Sequence, residues 1–193
     1  MLPYRFRFNS PIPIYPSKYI SHFLIIVCVI VAMAWFMIPN FIEYFGLHRI
    51  PLFSETIPYI VWQIIFFQFL HGNILHLLMN SYFLYTAGPE VESRMSRSRF
   101  IAFFVSSTLF TALSLYIFAP NSLIIGISGF CMALLSYLWV DLSRIRHPMA
   151  NQILIMLVIN ILIGILPGNI SFVWHAAWAV WGLIWWQFRT YKR

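Results

Sequence analysis

Residues 19–38 read YISHFLIIVCVIVAMAWFMI, twenty consecutive positions without a Lys, Arg, Asp or Glu. A helix of that length rises about 30 Å, the thickness of the hydrocarbon core of a bilayer. Pro-rich polar sequence from Asn9 to Lys18 precedes the run and no small-residue cleavage pattern follows it, so it reads as a retained anchor and not a signal peptide. Five further apolar stretches lie beyond it, at Gln63–Ala87, Phe100–Ala119, Ile127–Val140, Asn151–Leu166 and Phe172–Phe188. With 61% hydrophobic and only 9% charged residues, and a mean hydropathy of +0.81, the bilayer is the solvent for this chain. The expected fold is all-α, a polytopic bundle of six transmembrane helices.

The 193 residues leave room for short loops but not for an additional soluble domain. The expected organisation is an N-terminal segment at 1–18, a membrane domain at 19–188 and a basic tail at 189–193. The net charge of +7 does not mark a nucleic-acid binder, because its basic residues flank apolar runs instead of forming one stripe. Arg5, Arg7 and Lys18, then Arg94, Arg97 and Arg99, then Arg144 and Arg146, and finally Arg189, Lys192 and Arg193 all fall on one side of a six-span path. The opposite side has only Arg49, so both termini are expected in the cytoplasm. The first outer loop, Pro39 to Tyr59, is rich in Phe, Ile, Tyr and Leu and is expected to lie in the membrane interface. Cys28 and Cys131 sit inside apolar runs, where cysteine behaves as a small hydrophobe, and no disulfide is expected.

Polar side chains inside spans are costly and therefore point to function. His76, Asn80, Ser128 and His175 stand out. Ser128 lies 13 residues before Asp141, His175 lies 14 before Arg189, and His76 lies 14 before Glu90. At about 1.5 Å per residue, all three reach a level about 20 Å from the inner surface. Asn80 follows His76 by one turn on the same face. Ala119-Pro120-Asn121 ends the third span, so residues 122–127 must descend as non-helical backbone before a short fourth span, which is tolerated only where it is buried in protein or lines a wet cavity. Gly126 and Gly129 permit the turn and close packing. A serine at that helix start has free backbone N–H groups and a positive dipole end beside it, suited to a developing oxyanion.

Each residue taken alone has a plainer reading. A membrane serine usually bonds its own backbone, a His/Asn pair at i and i+4 bridges helices, and a buried histidine is usually satisfied by its core. A metal site is disfavoured, since His71 and His76 are five apart and there is no His-Glu-x-x-His; no cofactor is implied. The shared depth is what raises the four together.

The pattern His71-Gly72-Asn73-x-x-His76-x-x-x-Asn80, then Gly126-Ile127-Ser128-Gly129, then a histidine in the last span, resembles the rhomboid intramembrane proteases. The resemblance covers about Trp62 to Trp186 and includes Glu92, Tyr137 and Trp139. It implies a six-helix core with a Ser128–His175 dyad, transition-state donors at His76 and Asn80, supporting roles for Gly126, Gly129, His71 and Gly182, and transmembrane proteins as substrates. A rhombosortase-like variant would trim C-terminal anchors. Span five and the first outer loop are the implied gates. A bacterial inner membrane is the expected location, and the oligomeric state is left open. A derlin-like pseudoprotease that binds transmembrane clients without cutting them is the alternative, and a transporter is disfavoured by the lack of inverted repeats or an intramembrane acid.

The chain departs from the family at Met132, where an aromatic usually stacks on the histidine, and at Trp178, where glycine usually lets spans four and six touch. Trp178 either pushes those helices apart or packs against Met132 and Ser136. Gln63 after Trp62, and Ser96 at a usual glycine, are peripheral departures. Without a third acid in the sequence, His175 is expected to be held by packing.

Overall fold

A computed structural model describes residues 19–48, 57–118, 122–163 and 171–188. The terminal segments 1–18 and 189–193 and the charged part of the first outer loop around Arg49 lie outside the described residues. Among the described residues the fold is all-helical: α1 (Ile20–Met37), α2 (Phe41–Phe45), α3 (Ile57–Phe66), a 3-10 turn (Phe67–Phe69), α4 (Ile74–Glu92), α5 (Arg97–Phe118), α6 (Ser128–Arg144), α7 (Ala150–Ile163) and α8 (Ser171–Gln187).

The physical reason for the architecture is clearest in α6. Every residue from Gly129 to Leu138 is buried, as expected of a helix that is apolar all round and surrounded by others. α8 packs on it most extensively, followed by α7 and α4. The outer helices carry the complementary signature, with Phe23, Ile30, Met33 and Phe36 of α1 and Val105, Leu109 and Leu113 of α5 exposed. α1 and α5 are each long and apolar enough to cross a bilayer alone. These helices are those of an integral membrane protein.

One expected span is not a single helix. Gln63–Ala87 is interrupted between the 3-10 turn and α4, and the two helical parts meet at 78°. The local cause is in the sequence: Asn73 is the N-cap of α4 and its side chain accepts from the His76 backbone N–H at 2.8 Å, a start signal that separates Leu70-His71-Gly72 from the helix that follows. The break turns His71 back over α4. The fourth span is longer than expected, running to Arg144.

Polar contacts close the bundle where apolar packing gives no direction. Trp178 Nε1 on α8 donates to Thr111 Oγ1 of α5 at 2.7 Å, and Trp185 Nε1 donates to Ser106 Oγ at 2.9 Å. The Gln68 amide donates to Thr108 Oγ1. At the other end, the Glu92 carboxylate accepts from the N–H groups of Ile20 and Ser21 at 2.9 and 2.7 Å, capping α1. Arg94 Nε meets Asp141 Oδ2 at 2.8 Å, joining the ends of α4 and α6. On α3, Gln63 is buried and donates from Nε2 to His48 Nδ1 at 3.2 Å, tying that helix to the outer loop.

Candidate active site

The backbone ahead of Ser128 is held on two sides. Leu47 and Ile124 exchange both N–H···O bonds, at 3.0 and 2.8 Å, in an isolated antiparallel bridge, and the Gly126 N–H donates to Phe67 O at 2.8 Å. The descending segment is therefore pinned between the first outer loop and the 3-10 turn. Gly126 has φ +98°, and a Cβ there would lie 2.7 Å from His76 Cε1. Only glycine fits both the backbone and the imidazole. α6 then starts at Ser128, with Ile127 as N-cap, so the first N–H groups of the helix have no helical acceptor.

Across this helix start, Ser128 Oγ lies 3.3 Å from His175 Nε2, joining residues 47 apart in the chain. Both line an open cavity of about 710 Å³ together with His76, Asn80, Met132 and Trp178, a size typical of ligand sites. Asn80 is buried, and its Nδ2 donates to His71 Nε2 at 3.1 Å, while His71 Nδ1 donates to Phe69 O at 3.1 Å. This relay fixes one amide hydrogen of Asn80 and leaves the other for the cavity. The His71 and His76 rings meet edge to face at 5.0 Å. The fold thus brings together Ser128, His175, His76 and Asn80, with His71 and Gly126 behind them.

Trp178 does not push α6 and α8 apart, since this is the most extensively packed helix pair among the described residues. Its indole lies on Gly129, where an added Cβ would be 2.2–2.4 Å from three ring atoms. Gly182, one turn on, is pressed against Ala133 O and Ser136, at 2.2 and 2.1 Å from a notional Cβ. Gly129 therefore receives the tryptophan while Gly182 lets α8 approach α6 one turn on, and the indole N–H is discharged on α5. The indole also flanks His175, with centroids 6.1 Å apart, so an aromatic borders the imidazole from its own helix in place of one at position 132.

His175 is not held by packing alone. Its Nδ1 is 2.9 Å from the backbone carbonyl of Asn160 on α7. Of the polar residues lining the cavity, Asn160 was not named in the sequence reading and Asn73 entered it only as part of a motif. The N-cap position of Asn73 was a usable signal. Asn160 is a polar residue inside an apolar run, also a signal, but its contribution comes from the backbone. Among the described residues no group of three or more metal-binding side chains forms.

The family model for the Rhomboid domain matches residues 59–191. A putative rhomboid protease, YdcA of Bacillus subtilis (strain 168), is 26% identical over 119 residues, covering 59% of this chain and 60% of that protein. The rhomboid protease GlpG of Yersinia pestis (strain Pestoides F) is 27% identical over 84 residues, covering 44% of this chain and 30% of that protein. The chain therefore spans less than two thirds of either relative. The domain match runs from α3 to beyond α8 and contains every cavity residue named above, and on that ground the chain belongs to the rhomboid family.

Proposed function

We propose that this chain is an intramembrane serine endopeptidase that cuts membrane-anchored proteins within or beside a transmembrane segment. The observation that carries the reading is the Ser128–His175 contact at 3.3 Å, made at a helix N-terminus inside an open cavity. Ser128 Oγ attacks the scissile carbonyl carbon while its proton passes to His175 Nε2. The oxyanion is met by the Ser128 N–H and the side chains of His76 and Asn80, a kind of donor whose loss typically costs about 10²–10³ in rate. The C–N bond then breaks, Nε2 gives the proton to the leaving amine, and water hydrolyses the acyl-serine by the same steps in reverse.

Six spans, formed by α1, α4, α5, α6, α7 and α8, with both termini in the cytoplasm, fit the distribution of Lys and Arg. In that topology the cavity lies nearer the outer face and water reaches it from there. The division into a cytoplasmic segment at 1–18, a membrane domain at 19–188 and a basic tail at 189–193 follows from it. Bacterial relatives favour the inner membrane of a bacterium. Substrates are single-span proteins, including those whose C-terminal anchor is trimmed as by a rhombosortase.

The test is labelling of detergent-solubilised protein by a fluorophosphonate. Wild type is expected to label, and Ser128→Ala and His175→Ala to lose it. Folded wild type that does not label would instead support a client-binding pseudoprotease. In liposomes, a substrate helix containing Gly or Pro is expected to be cut faster than a poly-Leu span, because the scissile segment must unwind; equal rates would refute that requirement.

A further inference from the structure

The geometry points to the backbone carbonyl of Asn160 as the group that sets the tautomer of His175, which makes Asn160 a positioning residue of the dyad. The inference rests on the serine protease reading above and adds to it the role a third acid would otherwise fill. A carbonyl oxygen only accepts, so at 2.9 Å from it Nδ1 must carry the hydrogen. Neutral imidazole has one N–H. Nε2 is therefore bare and accepts from the Ser128 hydroxyl at 3.3 Å, which is the orientation a general base needs.

Asn160 is suited to this by position. It lies in the C-terminal part of α7, toward the negative end of the helix dipole. When Nε2 takes the serine proton, the resulting cation faces that negative end and retains an acceptor for Nδ1–H. The Asn160 side chain is engaged elsewhere, donating from Nδ2 to Met156 O at 2.7 Å. The base is thus ready only while α7 stays in register with α8, although α7 supplies no side chain to the proton transfer.

The experiment is 15N NMR of histidine-labelled protein in micelles, with the six histidines sorted by the signal lost in His175→Ala, alongside fluorophosphonate labelling. Wild type is expected to hold His175 neutral with its proton on Nδ1. Ile161→Pro pushes Asn160 out of the α region and turns its carbonyl away. It is expected to lose the Nδ1–H signature and to label about 10–100-fold more slowly, the usual cost of removing a group that orients a functional histidine. Ile161→Ala, which leaves the backbone free to stay helical, should match wild type in both readouts. Labelled wild type with the proton on Nε2 overturns the inference and leaves the protease reading intact. So does Ile161→Pro retaining both signature and rate, and if that variant does not fold the wild-type spectrum still decides. Unlabelled wild type overturns the dyad and any catalytic use of the carbonyl with it.

Discussion

Gly129→Ala is the smallest change that should disable the site without touching a reacting atom. The new Cβ would fall 2.2–2.4 Å from Cδ2, Cε2 and Cε3 of Trp178, whereas carbon atoms rest at about 3.5–4.0 Å, so the ring must retreat by about 1 Å or more. Trp178 is 3% exposed, so the ring can retreat only by sliding α8 along α6 or by filling part of the cavity it lines. Overpacking of this kind costs about 1–3 kcal/mol. The 2.7 Å bond from Trp178 to Thr111 would stretch as well, and interhelical bonds in membranes average about 0.6 kcal/mol and reach about 1.7. A total loss of about 2–4 kcal/mol is expected. Because α6 carries Ser128 and α8 carries His175, a shift of about 1 Å between them should also slow the chemistry by about 10²-fold. The assay is denaturant-induced unfolding in mixed micelles together with the fluorophosphonate labelling rate, for Gly129→Ala, Trp178→Ala and the double variant. Trp178→Ala alone leaves a cavity, at about 3–5 kcal/mol. The double variant should be more stable than the two losses added together, by about 1–3 kcal/mol, because the alanine methyl then enters vacated space. A Gly129→Ala protein as stable and as reactive as wild type, or a cycle with no coupling, would refute the packing argument.

Gly182→Ala should be harsher, because its Cβ meets the backbone oxygen of Ala133 at 2.2 Å and a carbonyl cannot rotate aside; Ser136→Ala is expected not to rescue it in the same unfolding assay. Asp141→Ala removes one of the two carboxylates that pair with Arg94, leaving Glu90, and the acceptor of Trp186 Nε1 at 3.3 Å, and should lower stability by about 1–3 kcal/mol. Since Asp141 is about 20 Å along α6 from Ser128, the labelling rate of the folded Asp141→Ala fraction should be unchanged, and a slower rate would show coupling through α6. Glu92→Gln leaves one strong acceptor for two N–H groups at the start of α1, and a loss of about 0.5–2 kcal/mol, read as earlier proteolysis or unfolding of α1, is expected.

Much of the site was legible before any coordinates because the bilayer makes polar residues conspicuous. Ser128, His175, His76 and Asn80 stood out since burying an unpaired polar group in hydrocarbon is costly, and counting along helices placed them at one level since helical rise is nearly constant. The helix start at Ser128 was legible too, from Pro120 and the glycines around it. The break before α4 was harder, because residues 63–70 and 74–87 are apolar on both sides of it and hydropathy does not register a bend. Its signal was one polar residue, Asn73, acting as a cap.

The sequence by itself determined the solvent of this protein, its helical class and the family pattern that its polar residues compose. Each of these depends on residue type or on spacing along one helix. Only the tertiary structure decided how Trp178 is accommodated, since that depends on the rotation of α8 against α6 and on Gly129 and Gly182 facing inward from opposite helices. It alone decided that His71 anchors Asn80, because the 78° bend brings them together. And it alone brought the Asn160 carbonyl to His175. Every residue has a backbone carbonyl, so no residue type marks the one that matters, and the contact exists because α7 packs beside α8 with the Asn160 carbonyl facing His175.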